Sequence, residues 1–293
     1  MSEPIYKRRF GDRKDGRLVR TFPAYNKFEP FIMKTRNDAD ITFSDSLEVT
    51  EVDRWLREKR AEGYKGMGML HLFLAAYVRT VANRPALNRF VSGQRVFARN
   101  NVEVLMTVKK AMTDDAEETS IKVKFLQSDT IFDIYRKINE QIDNVKASEV
   151  NGTDKMAETL SHLPRIIINA FIALLKAMDY FGWLPQSLLD ISPMHGSLIV
   201  TDLGSIGIPP VAHHLYNFGN LPCFLAFGAK RHAYELDNSG NPTERKYVDY
   251  IITTDERICD GFYLAGSFKY LKYYLRNPNL LEAPPEKVLQ DIF

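Results

Sequence analysis

The chain has 293 residues and a mass of 33.7 kDa, enough for one large domain or two ordinary ones at roughly 100–200 residues each. Hydrophobic residues make up 45% and aromatic residues 12%, which supplies a sizeable core and excludes low-complexity disorder and collagen. The 39 basic and 37 acidic residues leave a formal charge of +2, so no global field points to nucleic acid.

Two cysteines, Cys223 and Cys259, are too few for a disulfide scaffold or a cysteine-based metal site, and they fit a reducing compartment. No secretory leader opens the chain and no run reaches about 18 apolar residues. The expectation is a cytoplasmic protein, an enzyme or an enzyme relative.

Residues 1–20 form a basic arm in which Lys7, Arg8, Arg9, Arg13, Lys14, Arg17 and Arg20 outnumber Glu3, Asp12 and Asp15. Such an arm is able to bind RNA or anionic lipid. It lacks regularly interleaved aromatics for base stacking, so the plainer expectation is a solvated arm lying on the body. Thr50-Glu51-Val52-Asp53 reads as a capping box opening a short helix. Gly66 and Gly68 break the chain, and Met69–Val81 reads as a buried helix that ends before Pro85. Val91–Ala98 and Val102–Val108 are strand-like, and residues 114–118 are an acidic turn. Thr119–Leu126 alternates, with Ile121, Val123 and Phe125 on one face and Lys122 and Lys124 on the other, as an antiparallel strand at a sheet edge does. Ser128-Asp129 precedes a helix carrying Ile131, Ile134, Ile138 and Ile142 at helical spacing.

From Leu160 to Phe181 a narrow polar stripe (His162, Arg165, Asn169, Lys176, Asp179) interrupts a mostly apolar helix, with Pro164 at its start and Gly182 and Pro185 at its end. A helix this apolar is buried in a core or an oligomer interface, with a membrane surface as the alternative and a true span as the third choice. Ser197–Leu203 and Leu221–Gly228 are short apolar strands. Arg245–Thr254 is a strand joined to the preceding one by a dense turn over 237–242, and Phe262–Leu275 is an amphipathic helix. Strands and helices mix without βαβ alternation, which favours an α+β layer with a mixed or antiparallel sheet over a Rossmann fold.

The chain has no P-loop, no dinucleotide glycine fingerprint, no His-Glu-x-x-His and no Gly-x-Ser-x-Gly. Its histidines are scattered, and the adjacent pair His213-His214 points its rings apart, so no metal site is expected.

Residues 250–276 carry a resemblance. Asp255-Glu256-Arg257-Ile258-Cys259-Asp260-Gly261 follows the pattern Asp-His-Arg-Val-x-Asp-Gly, with glutamate where the pattern has histidine. Upstream, Gly196–Gly207 looks like a strand and turn of the Ser/Thr-Asn-Leu-Gly kind, and Pro222–Gly228 resembles the strand that follows it. These three blocks, in this order, resemble the chloramphenicol acetyltransferase and dihydrolipoamide acyltransferase superfamily, the catalytic domain of 2-oxoacid dehydrogenase acyltransferases. Arg84-Pro85-Ala86-Leu87-Asn88 is like that family's segment after its first long helix. The likeness is close over 195–275 and loose over 20–145.

The resemblance implies a chloramphenicol acetyltransferase-like two-layer sandwich, a mixed, largely antiparallel sheet packed by helices. It implies one acyltransferase-like domain over 1–293, with the basic arm at 1–20 and an apolar helical insertion at 145–192 that has no counterpart in the family. No lipoyl domain precedes this body, so a full-length dehydrogenase core subunit is not expected. The family transfers acyl groups between coenzyme A and an acceptor at sites between the subunits of a homotrimer. Its histidine is the general base, a serine or threonine hydroxyl donates to the oxyanion, and the motif aspartate holds the local architecture through an ion pair.

Carried onto this chain, Thr201 matches the oxyanion donor, Asp260 the structural carboxylate, and Glu256 stands where the base belongs. A glutamate starts about two units below an imidazole. Burial can raise it into a useful range, but its anion also repels the thiolate and the oxyanion. His214, or its neighbour His213, is the other source of an imidazole, and a loop histidine satisfied by hydrogen bonds is the plainer reading of both. Two functions follow: a coenzyme A-dependent acyltransferase with altered base chemistry, or a catalytically silent trimeric binding or assembly scaffold. Residues 160–185 add a possible membrane or protein contact.

Overall fold

A computed structural model of the chain describes residues 7–109, 118–147 and 162–291. The acidic turn expected at 114–118 falls outside them except for Glu118, and so does the 148–161 part of the apolar segment. In chain order the elements are β1 (Gly16–Leu18), α1 (Ala24–Ile32), β2 (Asp40–Glu48), α2 (Thr50–Ala61), α3 (Met69–Asn83), β3 (Arg89–Ser92), β4 (Arg95–Arg99), β5 (Val102–Lys109) and β6 (Glu118–Phe125). There follow α4 (Ile131–Ala147), α5 (Arg165–Tyr180), α6 (Gln186–Ile191), β7 (Leu198–Asp202), β8 (Cys223–Leu236), β9 (Pro242–Asp255) and α7 (Gly261–Arg276).

Alternation decides the sheet. Six strands pair in the order β2-β9-β8-β7-β5-β6, and β1-β4-β3 form a smaller sheet. In the large sheet β7 runs parallel to both neighbours, and the other pairs are antiparallel. β6 is the expected edge strand, with Ile121, Val123 and Phe125 buried and Lys124 exposed. β8 and β9 form the expected hairpin. Its turn is tied by the Asp237 carboxylate, which accepts from Ser239 N at 2.8 Å and Asn241 N at 2.9 Å.

One sheet face is apolar and carries Val104, Val200, Leu225 and Ile252 into the core. Helix α3 lies in that core with residues 71–82 buried, and Phe73 stacks on Phe227 at 4.6 Å. Burying side chains of this size is worth roughly 1.5–3 kcal/mol each. Helices α4 and α7 flank α3 and complete the helical layer.

Local signals were overridden in three places. The run Val91–Ala98 is not one strand but the hairpin β3–β4, because Gly93 and Gln94 adopt φ of 56° and 58°, the left-handed pair that a two-residue turn needs. A Cβ on Gly93 would sit 2.2 Å from Tyr180 O, so this turn must be bare for α5 to end against it. The capping box at Thr50 does not form: Val49 precedes the helix, Thr50 Oγ1 accepts from Lys246 N at 3.3 Å, and Asp53 pairs with Lys230. For α4, Thr130 rather than Ser128 or Asp129 makes the reciprocal cap, bonding Asp133 N at 3.2 Å while Asp133 Oδ2 accepts from Thr130 N at 3.1 Å.

Helix α5 corrects the expectation of burial in the main core. Its only buried residue is Leu175, which packs with Leu184 and Leu189 in a small cluster of its own, edged by Phe171, Ile172 and Met178. An apolar helix buries only the stripe that finds a partner, and the rest of its circumference stays in water. Among the described residues no helix is long and apolar enough to cross a membrane.

The C-terminal end of α5 is fastened by charge. The Asp179 carboxylate pairs with Arg13 Nη2 at 2.6 Å and stands 3.5 Å from His195 Nε2, and Asp179 O accepts from Ser92 Oγ at 3.1 Å. The His195 ring is held in turn by Ser192 Oγ, 2.7 Å from Nδ1. Burial by itself raises the Asp179 carboxyl, but the nearby His195 ring and the Arg13 charge outweigh it and hold it well below the usual range. A carboxyl depressed on folding contributes stability above its unfolded value near 4 that is lost as pH falls below it. Asp179→Ala is therefore expected to cost about 3 kcal/mol in urea unfolding, and α5 amides should exchange before those of α3. Acid below about pH 4 should loosen α5 in the wild type in the same order. A loss under about 1 kcal/mol, or exchange of α3 ahead of α5, contradicts this anchor.

Candidate active site

Strand β9 ends on Asp255, paired across the sheet with Asp40 at the start of β2. The Asp255 carboxylate is fully buried and turns the chain. It accepts from Arg257 N at 3.1 Å, from Arg257 Nε at 2.7 Å and from Arg257 Nη2 at 2.6 Å. The remaining Arg257 nitrogen donates to Met33 O at 2.7 Å, just past the end of α1. Arg36 lies against the same pair, with Nε 4.0 Å from Asp255 Oδ2, and donates to Val91 O at 2.8 Å and Tyr216 O at 3.0 Å. Burial pushes its guanidinium down to about 10, with Asp255 opposing.

Between these two buried residues Glu256 is exposed. It stands within electrostatic reach of Glu29 on α1. The Glu29 carboxyl is raised by its own burial, against a hydrogen bond from Asn26 at 2.9 Å, and raised further by the charges of Glu256, Asp255 and Asp260. Asp260 is exposed and caps α7, accepting from Tyr263 N at 2.8 Å. It makes no ion pair among the described residues. The architectural ion pair expected at Asp260 is found at Asp255–Arg257.

His214 is exposed at the same end of the sheet. Its Nδ1 lies 3.1 Å from Asn37 Nδ2 and 3.2 Å from Leu215 O, and Leu215 N donates to Asp40 Oδ2 at 3.0 Å. His213 faces the sheet instead and stacks on Phe224 at 4.2 Å and 9°. Its burial, and then the neighbouring His214, lower its imidazole, and its buried Nε2 has no hydrogen-bond partner.

Thr201 lies elsewhere. The register runs Thr201–Ala226–Ile251 across β7, β8 and β9. Glu256 is five residues beyond Ile251, on the order of 15 Å along the strand, with two strand spacings to cross as well. The side chains of Leu198 and Val200 enter the core, so Thr201 projects from the sheet face that the helices leave uncovered. Its hydroxyl makes no hydrogen bond among the described residues.

The turn after Thr201 is tight. Leu203 N donates to Phe227 O at 2.9 Å, Asp202 Oδ1 accepts from Ser205 N at 3.0 Å, and burial raises the Asp202 carboxyl against that bond. A Cβ on Gly204 would meet Gly228 O at 2.8 Å, which explains the glycine in each of these two sequence blocks.

The structure thus brings Glu256 and His214 to one end of the sheet and leaves Thr201 further along it, level with Ile251 and two strands away from β9. Beside the Arg257 turn opens a cavity of about 210 Å³ lined by Lys34, Arg36, Lys176, Tyr180, Asn217 and Arg257, four of them cationic. Asp179 lines it too, and Arg257 is already paired with Asp255, so its positive charge rests on Lys34, Arg36 and Lys176. Arg36 and Glu29 were missed in the sequence. Asp255 and Arg257 carried a signal, opposite charges flanking one residue at the end of an apolar strand. Cys223 and Cys259 are buried and unpaired, and burial pushes both thiols up to about 12, so neither is a poised nucleophile. Among the described residues no three His, Cys, Asp or Glu side chains gather as metal ligands.

No protein-family model and no curated protein matches the chain. Solved structures do. The cubic core of the pyruvate dehydrogenase multienzyme complex superposes with a TM-score of 0.58 at 14% identity, over 95% of this chain and 98% of that one. A probable dihydrolipoamide acetyltransferase from Listeria monocytogenes gives 0.57 at 12% identity, over 86% and 89%. A chloramphenicol acetyltransferase gives 0.54 at 12% identity, over 89% and 99%. The chain has the fold that these acetyltransferases share, a mixed, largely antiparallel sheet under one layer of helices.

Proposed function

We propose that the protein is a coenzyme A-dependent acyltransferase whose reacting centre is completed by a second copy of the chain. The observation that carries this reading is the separation of Thr201 from Glu256 within the acyltransferase fold. One copy cannot apply both to a single carbonyl, whereas the Glu256 end of one copy laid on the uncovered Thr201 face of another can. The homotrimer expected by resemblance supplies that arrangement, and the two unpaired cysteines fit a cytoplasmic setting.

In this reading Glu256 takes the proton of the acceptor's hydroxyl, amine or thiol as that atom attacks the thioester carbonyl carbon. Thr201 of the second copy donates to the oxyanion that forms. Collapse restores the carbonyl and breaks the carbon–sulfur bond, and Glu256 returns the proton to the departing thiolate. Glu29 shares the negative environment of Glu256, and its own carboxyl is raised by burial and then by the charge of Glu256. Lys34 and Lys176 line the cavity beside the Arg257 turn, and their charge is the kind that suits the phosphates of coenzyme A.

The rival reading is the silent scaffold. The observation that favours it is the same crowd of carboxylates, Glu29, Asp255 and Asp260, around a base position that holds no imidazole.

Release of free thiol from acetyl-coenzyme A over a panel of amine, hydroxyl and dithiol acceptors separates the two. The wild type is expected to release thiol. Glu256→Gln should lower kcat about 100-fold. Thr201→Val should lower kcat by a similar factor with little change in KM. Lys34→Gln should raise KM for the acyl donor and leave kcat in place. Glu256→His should keep or increase the rate. No release by the wild type together with a gain of release in Glu256→His identifies a silent scaffold with an otherwise intact site. Wild-type activity in Glu256→Gln removes Glu256 from the mechanism.

A further inference from the structure

Two features are left unused by acyl transfer, and they adjoin each other. The first is the outer face of α5. Ile166, Ala170, Ala173, Leu174, Ala177 and Phe181 are all exposed and follow one another at helical spacing on a single stripe, opposite Leu175 and its cluster. Ile166 is 82% exposed, Leu174 56% and Trp183 65%. Just past the helix, Phe181 stacks on Trp183 at 4.7 Å and Tyr180 meets Phe181 edge-on at 5.1 Å, so an aromatic cluster ends the stripe.

The second feature is the N-terminal arm. Lys7, Arg8, Arg9 and Lys14 are exposed, and Phe10 stands among them fully exposed. Lys7, Arg9, Lys14 and Arg17 line a groove of about 1380 Å³ that reaches Gln186, three residues beyond Trp183. The arm and the helix are fastened together by the Arg13–Asp179 ion pair, and a Cβ on Gly182 would touch Arg13 Cγ at 3.2 Å. The arm therefore meets α5 at its C-terminal end, at Gly182 between the exposed Phe181 and Trp183.

We propose that this surface docks on an anionic membrane face, with the α5 stripe and Phe10 entering the headgroup boundary and the arm's cations meeting lipid phosphates. An apolar helical face bordered by lysine and arginine lies in an interface plane and gains from both burial and anionic charge. Trp183 and Tyr180 are of the type that settles at that boundary. RNA fits less well, because the arm lacks aromatics interleaved at regular spacing for base stacking. The docking is independent of whether the protein transfers acyl groups.

Flotation of the full chain on sucrose gradients tests it, with phosphatidylcholine vesicles that contain or lack phosphatidylglycerol. The wild type is expected to float with the anionic vesicles only and to be released by high salt. Lys7→Gln and Lys14→Gln should each weaken binding about fivefold. Ile166→Glu with Leu174→Glu should abolish it, while the circular dichroism spectrum and the urea midpoint stay at wild-type values, since both side chains are exposed. Failure of the wild type to float overturns the proposal, as does flotation that survives the paired glutamates. It also fails if the paired glutamates dissociate an oligomer of a wild type that ignores vesicles, or if the arm retains single-stranded RNA and not lipid.

Discussion

Much of the arrangement around the candidate site depends on one buried carboxylate. Asp255 is fully buried at the end of β9 and is neutralised by Arg257 in a two-pronged pair, with Arg36 behind it. Through the spare nitrogens of those two arginines it reaches Met33 after α1, Val91 on β3 and Tyr216 in the loop that crosses the sheet. Leaving such a charge without its partner costs about 3–5 kcal/mol. The same bonds fix the backbone on both sides of Glu256 and turn its side chain out to solvent. A residue held this way has a defined position but little of the burial that would tune it. In the proposed reaction the surface of a second copy would supply that enclosure.

What could be read from the sequence follows how local each determinant is. β6, the β8–β9 hairpin, α3 and α7 were legible because each has a single buried face or is wholly buried, so its period shows directly in the residues. The β3–β4 turn was missed because Gln94 adopts a left-handed φ that glycine or asparagine would have advertised. The caps at Thr50 and Thr130 were misassigned because neighbouring Ser, Thr and Asp residues compete for the same backbone groups, and tertiary contacts such as Lys230 on Asp53 choose between them. Composition showed that α5 is apolar. It did not show that only the Leu175 stripe meets the body.

For the candidate site the sequence offered residues and no geometry. Glu256, Thr201 and His214 are where the blocks put them in the chain. Their mutual placement depends on the parallel pairing of β7 with β8 and the register of β8 with β9, contacts of long sequence separation that no local pattern encodes. Asp260 illustrates the same limit, since an aspartate before a helix caps it whether or not it also pairs with a cation. Helix α5 links the two proposals physically. Lys176 and Tyr180, exposed near its C-terminal end, line the cavity beside Arg257, while Ile166 and Leu174 face outward. A membrane-docked α5 would then lie next to the mouth of the cavity.

Shared residence of the site between copies is the central claim, and mixed oligomers test it most directly. Thr201→Val and Glu256→Gln chains, each inactive when purified alone, are co-expressed with different tags and isolated as hybrids. The account predicts that hybrids regain acyl transfer, because a Glu256 from one chain and a Thr201 from the other meet at some interfaces. Hybrids of verified mixed composition that stay as inactive as either parent would contradict it.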